Sequence, residues 1–281
     1  MNILYGSKVI RFLGVLAVLM MAAAPQIQAA EDDYQQHNLV SDGFVPADNN
    51  DPNLVNGWGV AFNPFGPVWV AANGTGNALL FDGTGKPQAL VVKIPSSAAN
   101  PGTGAPTGTV FNGSTGFVVS EGSASGPARF LFATEDGVIA GWAPTVDATN
   151  AVRVIDNFTA TGAVYKGLTL SAGGSGSLLY AADFHNNRID VFDSTFKPVA
   201  LEAGAFTDPA IPAGFAPFNV QAINGDIYVT YAKQDPARHD DVAGRGLGFV
   251  DVYDPNGTLI ARVASQGALN APWGMTLAPA G

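Results

Sequence analysis

One short phrase recurs five times along this chain, and the recurrence limits the architecture more than any single residue does. It reads GWGVAFNP from Gly57, PTGTVFNG from Pro106, YKGLTLSA from Tyr165, PFNVQAIN from Pro217 and PWGMTLAP from Pro272. With Gly59, Gly108, Gly167, Asn219 and Gly274 as equivalents, the copies lie 49, 59, 52 and 55 residues apart. Wherever a unit is complete, three more short strands follow. One ends in small or polar residues, one ends in an aromatic residue usually followed by Asp, and a fourth closes the unit. In the third unit these are LLYAADFHN, IDVFDSTFK and PVALEA. Four antiparallel strands repeating at this period, bounded by Gly, Asn, Asp and Pro, are the pattern of β-propeller blades. A β-sandwich of hairpins is the alternative, but it requires no repeating four-strand phrase. The fold class expected is all-β.

The units place blades at about 57–105, 106–164, 165–216 and 217–271, with the start of a further blade at 272–281. Four complete units make a short ring, so the expectation is a C-terminally truncated propeller with unpaired blade surfaces, prone to aggregation. The segment NLVSDGFVPADNN from Asn38 precedes the first unit and is a candidate outer strand for the last blade.

Residues 1–30 have a different character. Lys8 and Arg11 precede an uncharged apolar run from Phe12 to Ala24, then Pro25 and the small residues Ala29 and Ala30. This is the pattern of a secretory signal peptide, and the run is short for a membrane span. The expected mature domain, 31–281, is exported to the periplasm or the extracellular space, with no membrane span after cleavage. Its loss of two basic residues and no acids moves the net charge from −10 to −12. The remaining Lys and Arg are scattered, which argues against nucleic acid as a partner. The chain has no cysteine, which excludes thiol catalysis and thiolate metal sites.

The ordered phrases NLVSD, NGTGNALLFDG, FATEDGVIAGW, LYAADF, APFNVQ, YVTYAKQD and LNAPWG resemble an uncharacterised family of exported bacterial proteins. The resemblance implies an NHL-like, six-bladed propeller and export. It carries no catalytic residues to transfer. This chain departs from the family by lacking the portion that follows APWG.

With the strands of a blade named A to D from the channel outwards, the B–C and D–A loops share one face, the channel mouth. That face collects Asn56, Trp58, Asn73, Glu135, Asp136, Lys166, Asp183, Asn219 and Trp273, a mixture of carboxylates, amides, aromatics and one lysine suited to a polar ligand. The turn chemistry of Asn and Asp is the competing account of each residue singly. Asp82, Asp193 and Asp254 recur at the C–D turns and read as turn residues. Glu135, Asp183 and Asn219 are candidate ligands for calcium, which takes six to eight oxygens; similarity to six-bladed propellers that include calcium-dependent lactonases points the same way. His185, two residues after Asp183, is the candidate general base. The polar insertion from Lys233 to Gly246 is long enough to be a lid. Two functions therefore stand. One is a binding or scaffold module in the cell envelope or outside it, for a protein, glycan or small molecule. The other is a divalent-metal-assisted hydrolase, lactonase or lyase at the mouth.

Overall fold

Runs such as FLFAT and VIAGW, rich in apolar and aromatic residues, favour the pleated conformation. In the computed structural model, which describes residues 36–64, 66–173 and 176–278, they are strands. The leader at residues 1–30 lies outside the described residues. In chain order the strands are β1 (Val40–Ser41), β2 (Asn49–Asn50), β3 (Gly57–Phe62), β4 (Val68–Ala72), β5 (Asn77–Phe81) and β6 (Pro87–Lys93). Next come β7 (Pro106–Phe111), β8 (Val118–Glu121), β9 (Ala124–Pro127), β10 (Phe130–Thr134), β11 (Val138–Trp142) and β12 (Val152–Asp156). Then follow β13 (Tyr165–Gly173), β14 (Gly176–Asp183), β15 (Arg188–Phe192), β16 (Phe215–Ile223), β17 (Asp226–Lys233), β18 (Gly248–Tyr253) and β19 (Leu259–Ser265).

They assemble into antiparallel sheets ordered β3-β4-β5-β6, β7-β10-β11-β12, β13-β14-β15 and β16-β17-β18-β19. The protein is an all-β propeller, each sheet a blade. The inner strands β3, β7, β13 and β16 pack against one another in that order. Their approach is so close that only glycine fits. A Cβ at Gly59 would lie 2.7 Å from the Thr109 nitrogen, one at Gly108 2.6 Å from Leu168 Cβ, and one at Gly167 2.7 Å from Asn219 Cα. The glycine of the repeated phrase is thus the contact point between successive blades.

The core lies between blades. Trp69, Leu80 and Val92 of the first blade pack on Phe130, Phe132 and Trp142 of the second. Leu131 and Ile139 meet Tyr165, Leu179 and Phe192 of the third. Tyr180, Ile189 and Val191 meet Val220, Val229 and Tyr231 of the fourth. Side chains alternate across each strand, so each blade serves two neighbours.

Three sequence expectations change. The segment from Asn38 pairs within itself, β1 parallel to β2, and Val40 packs with Val70, Leu79 and Phe81 on the first blade rather than on the last. Asn49 fixes it there by donating to the Thr84 carbonyl at 2.8 Å. The phrase PVALEA is not a fourth strand: beyond the Asp193 turn only Val199 N bonds back, to the Val191 carbonyl at 2.8 Å. PWGMTLAP is not an inner strand among the described residues. A hairpin absent from the sequence reading, β8–β9, is inserted in the second blade.

The recurring turn aspartates are structural. Asp82 Oδ1 accepts from the Thr84 nitrogen at 2.9 Å and its hydroxyl at 2.7 Å, and Asp193 does the same with Thr195 at 2.8 and 2.7 Å. Those bonds, from the threonine hydroxyl above all, hold both carboxyls below their usual value. Among the described residues no helix is long and apolar enough to cross a membrane.

Candidate functional site at the channel mouth

Each inner strand begins with an irregularity in pairing. The ladder skips Trp58 between Gly57 and Val60, Lys166 between Tyr165 and Gly167, and Phe218 between Pro217 and Asn219. A bulge of this kind re-aims a side chain. Here Trp58, Lys166 and Phe218, the residues before Gly59, Gly167 and Asn219, come to the mouth, while Thr107 before Gly108 is buried with its hydroxyl on the Tyr165 carbonyl. Trp58, Thr107, Lys166, Phe218 and Trp273 occupy that equivalent position in the five copies of the phrase.

Lys166 is the centre of the arrangement. Its side chain is 1% exposed, and its ammonium is paired with Glu135 and lies 3.3 Å from Asp240 Oδ1. The same ammonium lies 5.3 Å from the ring centre of Trp58. The network then runs through amides. Asn73 Nδ2 donates to Glu135 Oε2 at 2.8 Å, Asn56 Nδ2 donates to Asn73 Oδ1 at 3.0 Å, and Trp58 Nε1 donates to Asn56 Oδ1 at 3.2 Å. On the other side Trp273 Nε1 donates to the Lys166 carbonyl at 2.8 Å, and Asn219 Nδ2 donates to the Trp273 carbonyl at 2.7 Å. Trp58 meets Trp273 edge-on at 5.4 Å and Phe218 at 5.9 Å. Seven residues named from the sequence, drawn from all four blades and the tail, form one bonded network.

The remaining candidates sit apart from it. Asp136 accepts from the Ala105 nitrogen at 2.8 Å and so ties down the loop entering β7. Burial pushes its carboxyl above the usual value, and the charge of Glu135 adds to this. Asp183 is wholly buried in its own hairpin: it accepts from Asn186 Nδ2 at 2.7 Å and lies 3.5 Å from Arg188. Burial raises its carboxyl too, against the bonds from Asn186. His185 lies with its ring against Gly162. The Asp183–His185 pair therefore does not form, since the aspartate points inward and is held by other partners. The calcium set Glu135, Asp183 and Asn219 is likewise divided: Glu135 binds Lys166, Asp183 its hairpin, and the Asn219 amide a backbone carbonyl.

Two mouth residues were not singled out in the sequence. The insertion after Lys233 folds into a tight loop, with Asp235 N bonded to the Asp240 carbonyl at 2.8 Å. This sets His239 Nδ1 2.9 Å from Asp240 Oδ1 and brings both to Glu135. Burial works to raise the Asp240 carboxyl, but the His239 bond and the Lys166 charge outweigh it and hold it below the usual value. Glu135, His239 and Asp240 present oxygen and nitrogen atoms within 4.8 Å of one another. The lysine ammonium bonds two of the three.

No protein-family model matches the chain. It is similar to two proteins of Acanthamoeba polyphaga mimivirus that bear the name uncharacterized protein. L690 is 33% identical over 249 residues, covering 86% of this chain and 64% of the viral protein. R648 is 31% identical over 247 residues, covering 86% of this chain and 60% of the viral protein. The chain thus spans less than two thirds of these relatives. Both are viral, so they lend no support to the bacterial origin that the sequence resemblance implied. Among solved structures, the chain is similar to virginiamycin B lyase from Staphylococcus aureus at 12% identity, with a TM-score of 0.44 over 78% of this chain and 58% of that one. It is also similar to a chain of the nidogen/laminin complex at 15% identity, with a TM-score of 0.39 over 72% of this chain and 66% of that one. Neither likeness bears on activity.

Proposed function

We propose that this protein is an exported binding module that holds its ligand at the channel mouth. The observation that carries the reading is the state of Lys166 and Glu135. The one buried ammonium of the mouth is neutralised by a carboxylate of the same network. A pair consumed in this way organises a rigid surface and leaves neither member free as a base or nucleophile. The amides and indoles around it supply shape and orientation, as binding sites in β architectures do. A panel of glycans, peptides and small molecules should yield a ligand whose binding falls at least tenfold in Asn56→Ala or Trp273→Ala. Ligands that bind both variants as well as the parent would place recognition elsewhere and sink the reading. Export rests on the leader of residues 1–30; the mass of the protein recovered from the producing cells should begin near Glu31, and an intact Met1 would remove it.

The second reading, a metal-assisted hydrolase or lyase, is favoured by the cluster of Glu135, His239 and Asp240. Lys166 already supplies the positive charge there, so millimolar calcium should leave the melting temperature unchanged. A calcium site filled at a hundred times its Kd would add about 2.7 kcal/mol of stability. A rise of several degrees, reversed by chelator, would favour the enzyme.

A further inference from the structure

Asn56, Trp58 and Trp273 of the network also line a pocket of about 380 Å³, together with Phe218, Asp241 and Asn270 among others. What it offers a ligand follows from what its polar groups already do. Both indole N–H groups donate within the protein, Trp58 to Asn56 at 3.2 Å and Trp273 to the Lys166 carbonyl at 2.8 Å. The Asn56 amide donates to Asn73 at 3.0 Å, and Asn270 Oδ1 accepts from the Gly244 nitrogen at 2.5 Å. What remains is the ring surface turned to the pocket, the Asn270 Nδ2 donor and one carboxylate; Lys166 already lies over the Trp58 ring at 5.3 Å. Trp58 and Trp273 stand at 80° to each other, and Trp58 and Phe218 at 72°, so the rings form a corner rather than a flat platform. Asp241, on the insertion loop, lines the pocket while Glu135 and Asp240 beside it are both paired with Lys166. No lysine or arginine lines the pocket.

A ring corner with an uncompensated carboxylate attracts a cation that carries apolar substituents: the ring quadrupoles and the carboxylate act in the same direction, and the alkyl groups leave water. A neutral sugar would need free donors and acceptors, and most of those here are already bonded. We propose that this pocket binds an alkylammonium group, with Asp241 as its counter-charge and Trp58 and Trp273 as its walls. The proposal rests on the binding-module reading and names the ligand class of that mouth. Lys166 over Trp58, between Glu135 and Asp240, is the same combination of groups within the protein's own fold.

The test is titration of the whole protein with choline and with its neutral carbon isostere, 3,3-dimethylbutan-1-ol, at constant ionic strength, followed by calorimetry and tryptophan fluorescence. Choline should bind at least tenfold more tightly than the isostere. Asp241→Asn, which keeps the side chain's shape, should weaken choline about tenfold and leave the isostere and the melting temperature unchanged. Equal binding of the two probes, silence of both, or an Asp241→Asn variant that binds choline as the parent does would each overturn the assignment. A glycan or peptide from the panel that binds the parent and is lost in Trp273→Ala, with choline silent, would overturn the cation and leave the binding module standing.

Discussion

Replacing Lys166 with methionine should lower the stability of the protein by about 3–5 kcal/mol, the cost of removing one partner from a buried ion pair. For a chain of this size that corresponds to a fall in melting temperature on the order of 10 °C. The methionine fills much of the space of the lysine stem, so the loss comes from charge rather than from a cavity. Glu135, with a side chain only 14% exposed, would be left with a single side-chain donor, Asn73. Asp240 is largely exposed and recovers water at little cost. The second variant decides the cause. In Lys166→Met with Glu135→Gln, the stranded charge is gone and the Asn73 bond keeps its acceptor, so more than half of the lost stability should return. A single variant that melts within 2 °C of the parent, or a double variant no better than the single, would mean that the pair is not what organises the mouth.

The prominence of Lys166 was partly legible in the sequence. The position before each contact glycine recurs, and in the first and third blades it carries Trp58 and Lys166, which meet at the mouth. What could not be read was its neutralisation. Glu135 lies 31 positions away and Asp240 lies 74 away, and the second arrives only because the insertion folds back on itself through Asp235. The sole hint was a polar loop too long for a plain hairpin. Asp183 failed for a different reason. Its place at a B–C loop suggested the mouth, but it is wholly buried, and the chain closes over it with Asn186 and Arg188.

The blade pattern, by contrast, was legible because it depends on local chemistry repeated in order: strand, polar loop, strand, Asp turn. The departures fall where that chemistry is interrupted. After the Asp193 turn only Val199 N bonds back to β15, and the third blade stops at three strands. Among the described residues the tail from Pro272 forms no strand, and its tryptophan packs edge-on against Trp58.

The repeat also makes a sharper claim, that its glycines are contacts and not relics of a turn. Gly108→Val should cost about 3 kcal/mol or more, at or above the upper end of what overpacking a rigid site usually costs. Propensity alone says the opposite, since valine suits a strand better than glycine does. Even the first added carbon would lie 2.6 Å from Leu168 Cβ and 2.8 Å from the Gly167 carbonyl carbon. Backbone of the neighbouring blade cannot move aside without disturbing the next contact, Gly167 against Asn219. Gly274 is the control within the same chain. It occupies the equivalent position in the fifth copy, yet a Cβ there meets nothing within 4 Å. Gly274→Ala should therefore stay within about 0.5 kcal/mol of the parent, as exposed substitutions do. Melting curves of the two variants separate contact from conformation. If Gly108→Val melts with the parent, the inner strands are not in the register described. If Gly274→Ala is as damaging as Gly108→Val, the glycines are required by their backbone angles and not by their neighbours.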